Sequence, residues 1–121
     1  MLHKLEFSRN WNEKLNNNIF QAIRKKNHPI KMGDQVDIYL QGRCLKRVVC
    51  IADTQAFFMD ISIAQLAIDT GYWGNAAKQI FRNLGIAVDD PKEIVTLLFF
   101  ATMNSTITQT KNDIKNQASL F

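Results

Sequence analysis

The sequence predicts an α+β domain: a small, partly open β-barrel with flanking helices and a polar C-terminal tail. Three observations lead there. Residues 35–40 alternate polar and apolar with period two, and other short β-rich runs surround them in the first half of the chain. The middle of the chain, from about residue 60 to Gly85, changes to the spacing of amphipathic helices. A β-branched and aromatic run at residues 94–103 then follows the helices, so the last strand must return to pair with strands far earlier in the sequence.

Taken in order, Leu2, Leu5 and Phe7 among His3, Lys4 and Glu6 give a short first strand. Ser8, Asn10 and Asn12 offer caps for a short helical turn over residues 11–15, and Asn16, Asn17 and Asn18 form a turn. Residues 19–23 read as a strand ending at Arg24, Lys25, Lys26 and Asn27. His28 is driven extended by Pro29 and opens a loop that turns again at Met32, Gly33 and Asp34. The alternating strand at 35–40 breaks at Gln41-Gly42-Arg43 and returns as a β-rich run at 44–52, buried toward its end. Asp60 or Ser62 caps a helix through Ile63, Leu66 and Ala67, which stops at Asp69-Thr70-Gly71-Tyr72. A second helix at 75–84 ends at Gly85, a turn follows at Asp89-Asp90-Pro91, and residues 94–103 form a late central strand. From Ser105 onward core formers almost vanish, which divides the chain into a domain at 1–104 and a flexible tail at 105–121.

A chain of 121 residues, 46% hydrophobic and 21% charged, is long enough for one globular domain without a metal or disulfide. Its apolar runs fall well short of the roughly 20 residues that span a bilayer, and the N-terminus carries Glu6 and no apolar core of a signal peptide, so a cytoplasmic location is expected. Cys44 and Cys50 have no further Cys or His at zinc-ligand spacing. On one strand they would share a face about 20 Å apart, beyond disulfide reach. No metal or other cofactor is expected. Charge is uneven: residues 1–47 hold ten Lys/Arg against four Asp/Glu, net +6, whereas residues 48–121 carry net −2. This asymmetry points to a polyanionic partner for surfaces built from the first half.

Several side chains are candidates for contacting it. Arg24, Lys25 and Lys26 follow a strand directly; Arg24 either presents its planar fork to a phosphate or base edge, or pairs with an acid such as Asp34. Lys14 is a phosphate ligand or a surface lysine. Arg43, Lys46 and Arg47 flank a hairpin, where contacts to backbone phosphate are common. Trp11 and Tyr39 are expected in the core, whereas Tyr72 and Trp73, bracketed by Gly71 and Gly74, occupy a corner from which a ring can stack on a base. Asp69 is either a general base or a helix-end carboxylate accepting backbone N–H groups. His3 and His28 are isolated, and Met32 and Met59 read as packing residues.

An ordered set of segments resembles the ASCH family, a branch of the PUA-like superfamily, and its small phage and bacterial members in particular. The set is Phe7-Ser8-Arg9-Asn10-Trp11-Asn12 with Lys14-Leu15, Phe20-Gln21-Ala22-Ile23-Arg24, Met32-Gly33-Asp34 and Leu66-Ala67-Ile68-Asp69-Thr70-Gly71-Tyr72, spanning about residues 3–103. The resemblance implies a small barrel with a groove for RNA or a modified nucleobase, with Arg24 at the groove arginine. Some members are hydrolases using a lysine, a threonine and a glutamate. Aligned on Arg24, the lysine and threonine positions carry Ile19 and Ala22, and only Asp69 lies near the glutamate position.

The sequence thus supports a nucleic-acid-binding module, RNA foremost, with a basic groove. The alternatives are a phage- or mobile-element-encoded inhibitor of a host defence complex that processes nucleic acid, and an ASCH-type nucleoside hydrolase or ribonuclease.

Overall fold

The computed structural model describes residues 2–103, so the tail predicted at 105–121 lies outside the described residues. The element order is β1 (Leu2–Phe7), a 3-10 helix (Trp11–Asn16), β2 (Ile19–Lys25), β3 (Gln35–Leu40), β4 (Arg43–Phe57), a 3-10 turn (Phe58–Asp60), α1 (Ile63–Thr70), α2 (Asn75–Asn83) and β5 (Ile94–Thr102). The strands form one mixed sheet in the order β1-β3-β4-β5-β2. Only the β1–β3 pair is parallel; β3–β4, β4–β5 and β5–β2 are antiparallel. The late strand β5 sits centrally between β4 and β2, as its β-branched and aromatic content predicts.

The sheet curls until its two edge strands face each other. Phe7 of β1 and Phe20 of β2 come from opposite edges, yet their rings meet edge-on at 6.5 Å. No ladder pairing joins β1 to β2, so the barrel stays open along this seam. The concave face buries Leu5, Phe7, Phe20, Ala22, Val36, Ile38, Val48, Leu98 and Phe100, and Ile30 plugs it from the loop between β2 and β3. On the convex face, Ile23 and Val95 pack against Phe58, Leu66, Ala77 and Phe81, which lays both helices over β2 and β5.

Local chemistry explains the connections. Gln41 and Gly42 both have positive φ (51° and 81°), as the two-residue hairpin between β3 and β4 requires. The Gln41 N–H donates to Phe7 O and its side chain to Ser8 O, tying this hairpin to the end of β1. Ser62, rather than Asp60, caps α1 by accepting the Gln65 N–H at 3.0 Å. Gly71, at φ 79°, ends that helix in the left-handed conformation open to glycine.

Strand β4 departs most from expectation, running to Phe57 where the β-rich run suggests an end at 52. Register shifts at Ile38/Tyr39 against β3 and at Cys50/Ala52 against β5 mark two irregularities along it. Each bulge inverts the alternation, so the polar stretch Asp53-Thr54-Gln55 continues a strand that simple periodicity closes. The same shift puts Cys44 outside and Cys50 inside, instead of on one face; both are free thiols. Met32 and Met59 do not pack as predicted. Met32 lies in a turn held by the Gly33 N–H to Cys50 O, and Phe58 takes the inward place beside Met59, leaving both methionines exposed. Trp11 and Tyr39 are half-buried rather than core, Tyr39 carrying the Lys4 ammonium 4.3 Å above its ring. Among the described residues no helix is long and apolar enough to cross a membrane.

Ile30 is the loop residue that fills the barrel, so Ile30→Ala should cost about 2–5 kcal/mol in urea unfolding, whereas exposed Ile68→Ala should stay within about 0.5 kcal/mol.

Candidate functional site

The open seam is crossed by the 3-10 helix Trp11–Asn16. Two consecutive residues inside it, Asn12 and Glu13, are left-handed with φ near 54°. Asparagine tolerates this conformation; glutamate does so at about 1–2 kcal/mol. The reversal turns the next side chain inward, and the Lys14 ammonium meets the Asp69 carboxylate at 2.9 Å. Both residues are almost out of water, at 5% and 4% exposure. Beside this pair, Asn12 Nδ2 donates at 2.8 Å to Ile68 O, a last-turn carbonyl of α1. Asn10 Oδ1 accepts the Leu15 N–H at 2.8 Å and braces the segment from the other side.

The corner after α1 is equally fixed. The Thr70 hydroxyl lies 2.8 Å from Leu66 O and 3.0 Å from Tyr72 O, and it accepts the Tyr72 N–H at 3.1 Å. A Cβ on Gly71 would stand 3.3 Å from Asn12 Cα, so the two segments are in close contact there. Trp11 packs edge-on against Tyr72 at 6.2 Å, and the Arg9 guanidinium lies 5.5 Å from the Trp11 ring.

Arg24 follows Phe20 and Ala22 on the concave face of β2. Its guanidinium lies 4.7 Å from the Phe7 ring across the seam, and Nη1 donates to Ile23 O at 3.1 Å. The pairing with Asp34 weighed from sequence does not form, because Asp34 faces His3 at 2.9 Å and accepts the Lys31 N–H. Arg24 has no ion pair among the described residues. Burial pushes the Lys14 ammonium below its ordinary value, against the charge and hydrogen bond of Asp69; Arg24 adds to the lowering. Burial likewise lowers Arg24, with Asp69 opposing. Two cations and one carboxylate therefore leave the cleft with an excess positive charge. His28 is also held below its ordinary value, first by burial and then by nearby Arg24, His3 and Lys31.

Lys14 and Asp69 form a partition between two cavities. One, of about 40 Å³, is lined by Phe7, Ser8, Trp11, Arg24 and Thr70 among others, and has room for roughly one or two waters. The other, of about 110 Å³, is lined by Asn12, Asn17, Ile19, Gln21 and Ile68. There Gln21 Oε1 accepts from Gln65 at 3.1 Å while Gln21 Nε2 is buried without a partner.

The predicted site residues separate into two groups. Lys14, Arg24 and Asp69 converge, although Lys14 is buried rather than on the surface and Asp69 accepts an ammonium rather than backbone N–H groups. Tyr72 joins them through Trp11, and Trp73 stands beside it. Arg43 is exposed at the hairpin bound to Phe7 and Ser8, and the Lys25 side chain lies along Gly85, next to the cleft residue Leu84. Lys26 is exposed just beyond β2. Lys46 and Arg47 are engaged elsewhere. Lys46 donates at 2.9 Å to Asn17 O and to Thr102 Oγ1, and Arg47 grips Asp37 with two bonds of 2.7 and 3.2 Å on the convex face. Sequence reasoning missed Arg9, Thr70 and Gln21; the asparagine-rich turn around Trp11 was the available sign that this segment doubles back.

Removing one member of a buried ion pair strands the other. Lys14→Met should lower stability by about 3–5 kcal/mol, and Lys14→Met with Asp69→Leu should recover most of that loss in urea titrations. A neutral single substitution would show that the pair does not hold the seam.

No family model matches the chain, and no curated protein matches it. Among solved structures, the crystal structure of an ASCH domain from Lactobacillus crispatus is similar: the TM-score is 0.61 at 11% identity, over 84% of this chain and 79% of that one. At this identity the likeness speaks for architecture, and it agrees with the curled mixed sheet and its two covering helices. The chain has an ASCH-like α+β fold.

Proposed function

We propose that the protein is a nucleic-acid-binding module, RNA foremost, which engages its ligand along the seam between β1 and β2. One observation carries this reading: Arg24 holds its guanidinium in the cleft, partly buried, with no carboxylate partner among the described residues. A desolvated guanidinium whose nearby carboxylate, Asp69, is already paired with Lys14 suits a phosphate oxygen. Exposed Arg9 and Tyr72 both lie against the cleft residue Trp11, Trp73 follows Tyr72 in the chain and is exposed, and Lys25 and Arg43 are exposed on the neighbouring strand end and hairpin. The 40 Å³ cavity is too small for a base, so the reading places backbone phosphate at Arg24 and bases outside. The ASCH-like fold supports this reading by analogy of architecture.

A second reading, hydrolysis of a nucleoside or of RNA, is favoured by the Lys14–Asp69 pair itself. The lysine position of the hydrolase pattern carries Ile19, but Lys14 reaches the wall of the same 110 Å³ cavity from the preceding 3-10 helix. A lysine whose proton is loosened by burial, beside a carboxylate, suits proton transfer.

The two readings part experimentally. In fluorescence anisotropy with labelled RNA over a salt series, Arg24→Gln should weaken binding and reduce the log–log salt slope by about 0.7–0.9, the share of one phosphate contact. Lys46→Gln and Arg47→Gln should leave the slope unchanged. Absence of binding to any oligonucleotide at low salt would overturn the first reading. For the second, chromatography should detect turnover of acylated nucleosides or RNA that Asp69→Asn reduces at least about 100-fold; an inactive parent chain removes it.

A further inference from the structure

The Tyr72–Trp73 corner carries more than a generic surface role. Four residues, Gly71 to Gly74, join α1 to α2, and the glycines at both ends have positive φ (79° and 64°). The chain therefore turns sharply on either side of the aromatic pair. Both rings are left in solvent: Trp73 is 77% exposed and Tyr72 47%. A tryptophan at that exposure forgoes most of the burial that usually fixes it in a core.

The corner is nevertheless rigid. The Thr70 hydroxyl ties it, accepting the Tyr72 N–H and donating its single proton to Leu66 O or Tyr72 O, Asn12 abuts Gly71, and Trp11 supports Tyr72 edge-on. A corner backbone and a Tyr72 ring held in place before binding lose little conformational freedom when a ligand arrives. The surroundings define what that ligand is. Arg9 lies over Trp11, and Trp11 lines the cleft that holds Arg24. A flat aromatic face beside fixed positive charge complements a flat π-system carried on an anionic backbone.

We infer that the seam binds single-stranded nucleic acid and that one unpaired base stacks on Trp73, with Tyr72 beside it, while an adjoining phosphate lies at Arg24. This rests on the nucleic-acid reading above and narrows it. In a duplex, each base already stacks within its own helix, and neither face is free for a side chain. Only an unpaired base can lie on an exposed ring, and the 40 Å³ cleft keeps that base at the rim. Stacking of this kind tolerates any base, so the interaction selects strand state rather than sequence.

The test uses the full chain and a labelled decamer presented three ways: as single-stranded RNA, as single-stranded DNA and as an RNA duplex. Single strands should bind at least about tenfold more tightly than the duplex. Trp73→Ala should weaken single-strand binding about 5- to 150-fold without changing the salt slope, and Trp73→Phe should restore most of it. In a Trp11→Phe background, the remaining indole emission should be quenched on addition of the single strand. Equal affinity for duplex and single strand, with Trp73→Ala unaffected, would overturn the inference; a loss with Arg24→Gln in that same outcome would leave the broader reading standing. No binding in any of the three forms would overturn both. Circular dichroism confirms the fold of each variant, which the exposure of Trp73 makes a mild substitution.

Discussion

An ammonium and a carboxylate 2.9 Å apart, both nearly out of water, constrain everything around them. Burying either charge alone costs several kcal/mol, so the lysine and the aspartate must stay together. One belongs to the 3-10 helix that follows β1; the other belongs to the last turn of α1, 55 residues later. Their pairing fixes how the N-terminal segment crosses the helical layer. Asn12 reinforces it by capping Ile68 O, and the left-handed pair Asn12-Glu13 is the conformational strain that brings Lys14 round. The aromatic corner, the cleft and the second cavity all take their positions from this junction.

The barrel supplies the complementary constraint. Its edges meet through side chains, Phe7 with Phe20 and Phe7 with Arg24, rather than through a hydrogen-bond ladder. An arginine on the concave face of an edge strand would ordinarily lie against solvent. Here it lies over a phenylalanine from the opposite edge, half in the core and half in the cleft. Position along β2 decides this: Phe20, Ala22 and Arg24 share a face, and the last of them emerges where the apolar interior ends.

Much of the architecture was legible because periodicity is a direct image of burial. Strand β3 matches the alternating run at 35–40, α2 buries its apolar face through Ala77 and Phe81, and Gly71 and Gly85 stand where helices end, whereas α1 buries Leu66 with Asp69 and Thr70 and leaves Ile63 and Ile68 exposed. The far half of β4 was hidden because bulges reset alternation, and no local residue type announces a bulge of this kind. The site was half legible. Arg24, Asp69 and Tyr72 could be named from the segments they occupy. That Lys14 would be buried against Asp69 could not, because the contact depends on a backbone reversal at Asn12 and Glu13, and glutamate gives no warning of a positive φ. Lys46 and Arg47 share the composition of a phosphate-binding hairpin, but cross-strand neighbours Asp37 and Thr102 already occupy them, and linear sequence does not display cross-strand register.

The unladdered seam has a mechanical consequence. In a closed barrel, widening the mouth breaks a row of backbone hydrogen bonds together, so the wall is stiff. Between β1 and β2 nothing of that sort resists. Directly between the two strands the lips meet through one ring-to-ring contact and one guanidinium resting on a ring, each worth about 1 kcal/mol, and the stronger Lys14–Asp69 pair holds the segment that crosses them. Without a ladder there, the residues bordering the slit can adjust their spacing while the four laddered strand pairs keep their register.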